Sequence, residues 1–122
     1  TASAGPDFFF NDLPEVPEDY IKLPYELTGC IAIPVYGESM EPEYHSGDIV
    51  IIRVITDKQV IEWGTAHIII TEEQRLFKII NNGNNGSVTL RSLNTAFDPI
   101  QIEKDKILKL FKVGASISKK GI

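Results

Sequence analysis

Short apolar runs separated by turn-forming residues fill the chain from Gly29 onward, and this pattern constrains the fold more than any other feature. The runs are rich in isoleucine and valine, which favour strands, and glycine, asparagine or proline stands between them. The chain has no internal repeat and no long segment with a clear 3.6-residue period. The sequence therefore predicts a mainly-β domain in which small, curled sheets surround one core.

The predicted strands coincide with these runs, which are Cys30–Tyr36, Asp48–Ile55, Thr65–Thr71, Arg75–Ile80, Ser87–Ser92, Pro99–Ile102 and Ile107–Val113. The asparagines and glycines of Asn81–Gly86 predict a hairpin turn, because both residue types tolerate positive φ. The last run fits a strand or a helix by spacing alone. It also offers an apolar surface on which a dimer could form.

The proline distribution separates an N-terminal arm from the body. Four of the seven prolines lie in residues 1–28, and prolines at this density prevent a helix. The apolar triplet Phe8–Phe10 predicts that the arm packs onto the body. The predicted organisation is an arm over residues 1–28, a folded domain over 29–113 and a frayed tail over 114–122.

Charge and composition exclude several classes of protein. The formal net charge of the 122 residues is −5, which argues against direct binding to a nucleic-acid backbone. No apolar run approaches the roughly 20 residues that a membrane span needs, and no signal peptide stands at the N-terminus.

The single cysteine, Cys30, excludes an internal disulfide and favours a reducing, cytoplasmic location. The chain begins with Thr1, so we expect it to be a fragment or a processed product.

Ser39 is the first candidate for chemistry. It follows a predicted strand, inside the segment Gly37–Pro42, and Gly47-Asp48 closes the same loop. A serine placed between a strand and a tight loop can expose its hydroxyl at the strand end. The alternative at this point is a turn serine that caps one helical turn.

Lys78 is the second candidate. Strand alternation places Leu76, Lys78 and Ile80 on one face, with apolar residues also on the other. Burial of a lysine disfavours its charged form, and a neutral lysine can act as a general base that activates a serine. The alternative is a lysine on an edge strand whose ammonium group reaches water.

These segments resemble the LexA family, which comprises LexA-type and phage-type repressors and UmuD-like mutagenesis proteins, all of them serine–lysine self-cleaving proteins. The resemblance covers about residues 2–113. The matching segments are residues 35–42 (VYGESMEP), residues 47–50 (GDIV), Gly64 before Ile68–Ile70, Phe77-Lys78, and residues 97–100 (FDPI).

The resemblance implies a catalytic mechanism. It implies that Ser39 is the nucleophile, that Lys78 is the base, and that Ala4-Gly5 in the arm is the bond that is cut. It also implies that the residues around the nucleophile, Gly37, Glu38 and Met40, stabilise the oxyanion or support the loop. It implies a LexA-like C-terminal catalytic domain preceded by an extended arm that carries the cleavage site.

The resemblance also implies a biological role. The first interpretation is the autoproteolytic and dimerising domain of a LexA-like or prophage-type repressor in the SOS response. Operator DNA would then be bound by an N-terminal helix-turn-helix domain outside this chain. The implied partners are a second copy of the chain and a RecA–single-stranded-DNA filament that stimulates the cut. The alternatives are a UmuD-like polymerase accessory protein and a dimerisation module without peptidase activity.

We expect no cofactor and no metal. The two histidines, His45 and His67, lack ligand spacing, so a polar loop residue and a strand residue are the preferred interpretations.

Overall fold

The structure is a computed structural model that describes residues 29–119. Seven strands account for nearly half of these residues: β1 (Cys30–Pro34), β2 (Ile49–Val54), β3 (Thr65–Ile70), β4 (Arg75–Asn82), β5 (Ser87–Arg91), β6 (Ile100–Glu103) and β7 (Lys109–Ile117). A short 3₁₀ turn, Lys104–Lys106, precedes β7. The mainly-β prediction is confirmed.

All seven strands belong to one antiparallel sheet, with the order β1-β2-β7-β3-β4-β5-β6. Consecutive strands form two groups along the chain, β1-β2 and β3-β4-β5-β6. Strand β7 pairs with β2 on one side and with β3 on the other, and so joins the two groups into a continuous sheet. The small sheets expected from the sequence are thus parts of one sheet, because β7 pairs with β2 through its second half and with β3 through its first.

The core consists of two clusters of buried apolar side chains, and β4 contributes to both. Phe77 and Ile79 belong to the first cluster, whereas Leu76 and Ile80 belong to the second. This division follows the alternation predicted from the sequence, because successive side chains of a strand point to opposite faces. Lys78 therefore lies in the middle of a strand that has apolar side chains on both faces.

The structure corrects two expectations about the last part of the chain. Residues 114–117 continue β7, where Ser116 pairs with Val50 and Ile117 pairs with Ile49, so this part of the predicted tail is a strand. The apolar residues Leu110 and Val113 are buried in the two core clusters. These two residues of the run Ile107–Val113 are therefore not available for a dimer surface, whereas Leu108 of the same run is exposed.

The predicted arm, residues 1–28, lies outside the described residues, and so does the bond Ala4-Gly5. Within residues 29–119, no helix has both the length and the apolar character that a membrane span requires.

Candidate active site

The loop between β1 and β2 carries Ser39, and its two ends are tied together. The Val35 N–H donates to Asp48 O (2.9 Å), and the Gly47 N–H donates to Val35 O (2.7 Å). Gly37 has a φ of +95°, a value that favours glycine because a β-carbon would be strained there. The loop therefore leaves the sheet and returns to it within about a dozen residues, with Ser39 near its start.

Inside the loop, residues 38–44 form two overlapping hydrogen-bonded turns and no helix. The Glu41 N–H donates to Glu38 O (3.2 Å) and the Tyr44 N–H donates to Met40 O (3.0 Å). Within the described part of the chain no hydrogen bond involves the Ser39 hydroxyl. The alternative of a helical turn capped by Ser39 is therefore wrong, because residues 38–44 contain no helix.

Apolar contacts attach these turns to the sheet. Met40 is buried in the first core cluster, and the ring of Tyr44 meets the ring of Phe77 edge to face with a centroid separation of 4.8 Å. Burial raises the pKa of the Tyr44 hydroxyl, and the nearby Glu43 carboxylate raises it further. Since Phe77 directly precedes Lys78, these contacts hold the serine loop against the lysine strand. Ser39 itself is 6% exposed.

Asp48 fixes the second end of the loop. Its carboxylate accepts the backbone N–H of His45 (2.9 Å) and the backbone N–H of Lys119 (3.0 Å). The Lys119 and His45 bonds hold the pKa of Asp48 below its ordinary value, against the effect of burial. The aspartate thus ties the serine loop to the residues that follow β7.

Lys78 is also buried, with 6% of its surface exposed. Its amine donates a hydrogen bond to Ser92 Oγ over 3.0 Å, and Ser92 is buried as well. The same nitrogen lies 5.9 Å from the centroid of the Phe97 ring, within the range of a cation–π contact. The alternative of an edge-strand lysine in open water is therefore wrong, because β4 lies between β3 and β5 and the amine is enclosed.

One segment after β5 contacts both candidate residues. Ser92 bonds the Lys78 amine, and two residues later the Asn94 N–H donates to Ser39 O (2.9 Å). Two residues of chain span at most about 7 Å. The structure therefore brings Ser39 and Lys78 to the same short segment, although their side chains are not hydrogen-bonded to each other within the described residues.

His67 lies next to Lys78 on the neighbouring strand. In the β3–β4 register it pairs with Lys78, and in the β3–β7 register it pairs with Lys112. Its Nδ1 is 2.9 Å from Thr65 O, whereas its buried Nε2 has no hydrogen-bond partner in the described structure. Burial lowers the pKa of His67 below its ordinary value, and this effect outweighs the hydrogen bond with Thr65, which raises it.

The remaining predicted residues occupy the serine loop. The Gly37 N–H donates to Ser46 Oγ (3.3 Å), and the Glu38 carbonyl accepts a hydrogen bond from the Asn94 side chain (3.1 Å). No group of three or more potential metal ligands occurs among residues 29–119.

Sequence reasoning missed Ser92 and Asn94. The register of the β4–β5 hairpin would have identified Ser92. Asn82 pairs with Val88 and Ile79 pairs with Arg91, so the next position in this register sets Lys78 opposite Ser92. The sequence did not reveal this register, because any of the six asparagines and glycines of Asn81–Gly86 could begin or end the turn.

A family model described as Peptidase S24-like matches residues 1–113. The chain belongs to the Peptidase S24-like family. This is the family of the LexA, UmuD and phage-repressor C-terminal peptidase domains, and its members are serine peptidases. No curated protein matches the chain. The family resemblance inferred from the sequence is therefore confirmed.

Proposed function

We propose that this S24-like domain cuts its own Ala4-Gly5 bond with Ser39 as nucleophile and Lys78 as general base. The observation that supports this most directly is the segment 92–97, which bonds the backbone of Ser39 and the amine of Lys78. Both side chains are buried, as a water-restricted peptidase site requires.

The first step forms an ester. Ser39 Oγ attacks the Ala4 carbonyl carbon while neutral Lys78 takes the hydroxyl proton. The C–N bond then breaks, and the lysine returns that proton to the departing Gly5 nitrogen. In the second step water attacks the ester carbonyl while Lys78 takes one of its protons. The bond from the Ala4 carbonyl carbon to Ser39 Oγ then breaks, and Lys78 returns the proton to Oγ. The products are a carboxylate on Ala4 and an amine on Gly5.

Backbone donors near Ser39 suit the oxyanion of this reaction. Within the described residues, the N–H groups of Ser39 and Met40 have no hydrogen-bond partner. Two such donors beside the nucleophile can stabilise the negative charge that develops on the Ala4 carbonyl oxygen. We assign the oxyanion site to these two groups, whereas Gly37 and Glu38 shape the loop.

The test uses the 122-residue chain and its Ser39→Ala and Lys78→Ala variants. Each is incubated between about pH 6 and about pH 10.5, a range that covers ordinary and buried lysines, and mass spectrometry follows loss of Thr1–Ala4. We expect the wild-type rate to rise with pH and level off, and both variants to be inactive while circular dichroism shows them folded. Ser116→Ala and Lys109→Ala, both exposed on β7, are matched controls. Cleavage by Ser39→Ala, or a cut at another bond, would refute the proposal.

For the biological role we propose the C-terminal domain of a LexA-like or prophage-type repressor. Cleavage would then separate this domain from an operator-binding domain upstream, and a RecA–single-stranded-DNA filament would accelerate the cut. A repressor of this kind needs a symmetric dimer, because operators have two-fold symmetry. Sedimentation that shows a concentration-independent monomer at tens of micromolar would contradict this role. A short upstream arm without a helix-turn-helix would favour the UmuD-like alternative.

A further inference from the structure

Asn94 makes an unusual set of contacts with the serine loop. Its backbone N–H donates to Ser39 O over 2.9 Å, and its side-chain Nδ2 donates to Glu38 O over 3.1 Å. The other side-chain atom, Oδ1, accepts the Ala96 N–H over 3.0 Å. One residue therefore holds two consecutive carbonyl groups of the loop, while its own side chain is fixed by the turn that follows it.

The geometry of the peptide bond extends this constraint to the amide groups. In a planar trans peptide the N–H points away from the C=O of the same unit. The Glu38 carbonyl shares its peptide unit with the Ser39 N–H, and the Ser39 carbonyl shares its unit with the Met40 N–H. Because Asn94 draws both carbonyls toward itself, both N–H groups point away from it. These are the same two N–H groups that lack a partner among the described residues.

We propose that Asn94 is a positioning residue that aligns the Ser39 and Met40 N–H groups as oxyanion donors. This inference rests on the proposed self-cleavage. Asparagine suits the role because it supplies a donor for Glu38 O and an acceptor for the Ala96 N–H at once. Aspartate would keep the acceptor, but it would place a second acceptor against the Glu38 carbonyl and lose the bond.

The test compares Asn94→Ala and Asn94→Asp with wild type over the full pH profile of self-cleavage. Asn94→Ala removes both side-chain bonds, whereas Asn94→Asp retains the bond to Ala96 and removes only the donor to Glu38. We expect the plateau rate to fall about tenfold to hundredfold in both, since loss of a whole oxyanion donor costs about 10²–10³. The midpoint of the Asn94→Ala profile should stay unchanged, because that variant alters no charge beside Lys78. Asn82→Ala and Asn82→Asp, at an exposed position at the end of β4, are the matched controls.

The outcomes separate the two proposals. If Asn94→Asp cleaves at the wild-type plateau rate, the hydrogen bond to Glu38 O is not needed. Any loss of rate in Asn94→Ala would then come from the lost bond with the Ala96 N–H, and the positioning role would be overturned. A wild-type plateau in Asn94→Ala, or a shifted midpoint in that variant, would overturn it as well. If the wild-type chain does not cleave at any pH, or if Ser39→Ala cleaves at the wild-type rate, the self-cleavage itself is refuted. Thermal unfolding of each variant confirms that the rates compare folded proteins.

Discussion

Replacing Asp48 with asparagine should destabilise the domain strongly, because two backbone N–H groups converge on this carboxylate. The donors are His45 N at 2.9 Å and Lys119 N at 3.0 Å, and Asp48 is buried. Asparagine can accept only one of these bonds, and its NH₂ group would face the other donor. Loss of one bond to a charged group and one unsatisfied N–H together cost about 2–4 kcal/mol of the free energy of unfolding.

The pH dependence of this effect follows from the lowered pKa of Asp48. A carboxyl whose folded pKa is below its unfolded value stabilises the protein fully above the unfolded value, about 3.9 for aspartate. That stability is lost as the pH falls from there through the folded pKa. The difference between wild type and Asp48→Asn should therefore be constant from pH 7 to about pH 5 and shrink as the pH falls further.

Urea unfolding at pH 7, pH 5 and pH 3, followed by the fluorescence of the single tryptophan, Trp63, measures both effects. Asp57→Asn is the matched control, because Asp57 accepts one N–H, from Gln59, in an exposed turn that asparagine also forms. We expect the control to change the free energy of unfolding by less than about 0.5 kcal/mol. An Asp48→Asn protein as stable as wild type at pH 7, or a difference that does not change down to pH 3, would refute this account.

Two further predictions concern His67 and Ser92, the polar residues that lie beside Lys78 on the neighbouring elements. Burial lowers the pKa of His67 in the folded protein, so as the pH falls the unfolded protein takes up a proton at this residue before the folded protein does. The free energy of unfolding should therefore decrease as the pH drops below about 6.5. His67→Phe should lack that dependence, whereas a variant of the exposed His45 should retain it; identical pH profiles of unfolding for wild type and His67→Phe would contradict the argument. Ser92→Ala should slow self-cleavage about tenfold at pH 7, because the Lys78 amine loses a buried bond of 3.0 Å; an unchanged rate, measured by mass spectrometry, would exclude a role in positioning the base.

The sequence alone was sufficient to place most of the strands and to show that Lys78 lies among apolar residues. Branched apolar runs bounded by turn residues predict strands through local preferences, and each of the seven predicted runs overlaps one strand. The two-residue period of a strand also predicted that Phe77 and Ile79 share a face. These features depend only on neighbours in the chain, so no knowledge of the tertiary structure was needed.

Strand ends and strand partners depended on the tertiary structure. Asn81 and Asn82, assigned to a turn from their residue types, extend β4 because Thr89 and Val88 pair with them. Residues 114–117 form a strand because β2 offers its open edge there. In both places backbone pairing outweighs a weak local preference for turn or tail.

The candidate active site shows the same division between local and tertiary information. The residue types around Ser39 and Lys78 were enough to nominate the pair, because their spacing resembles one family. The segment that links them was not predictable, since Ser92 and Asn94 meet the pair only through the β4–β5 register and the path of the chain after β5. Contacts between residues far apart in sequence depend on strand order and turn length, and a local period of two residues contains neither.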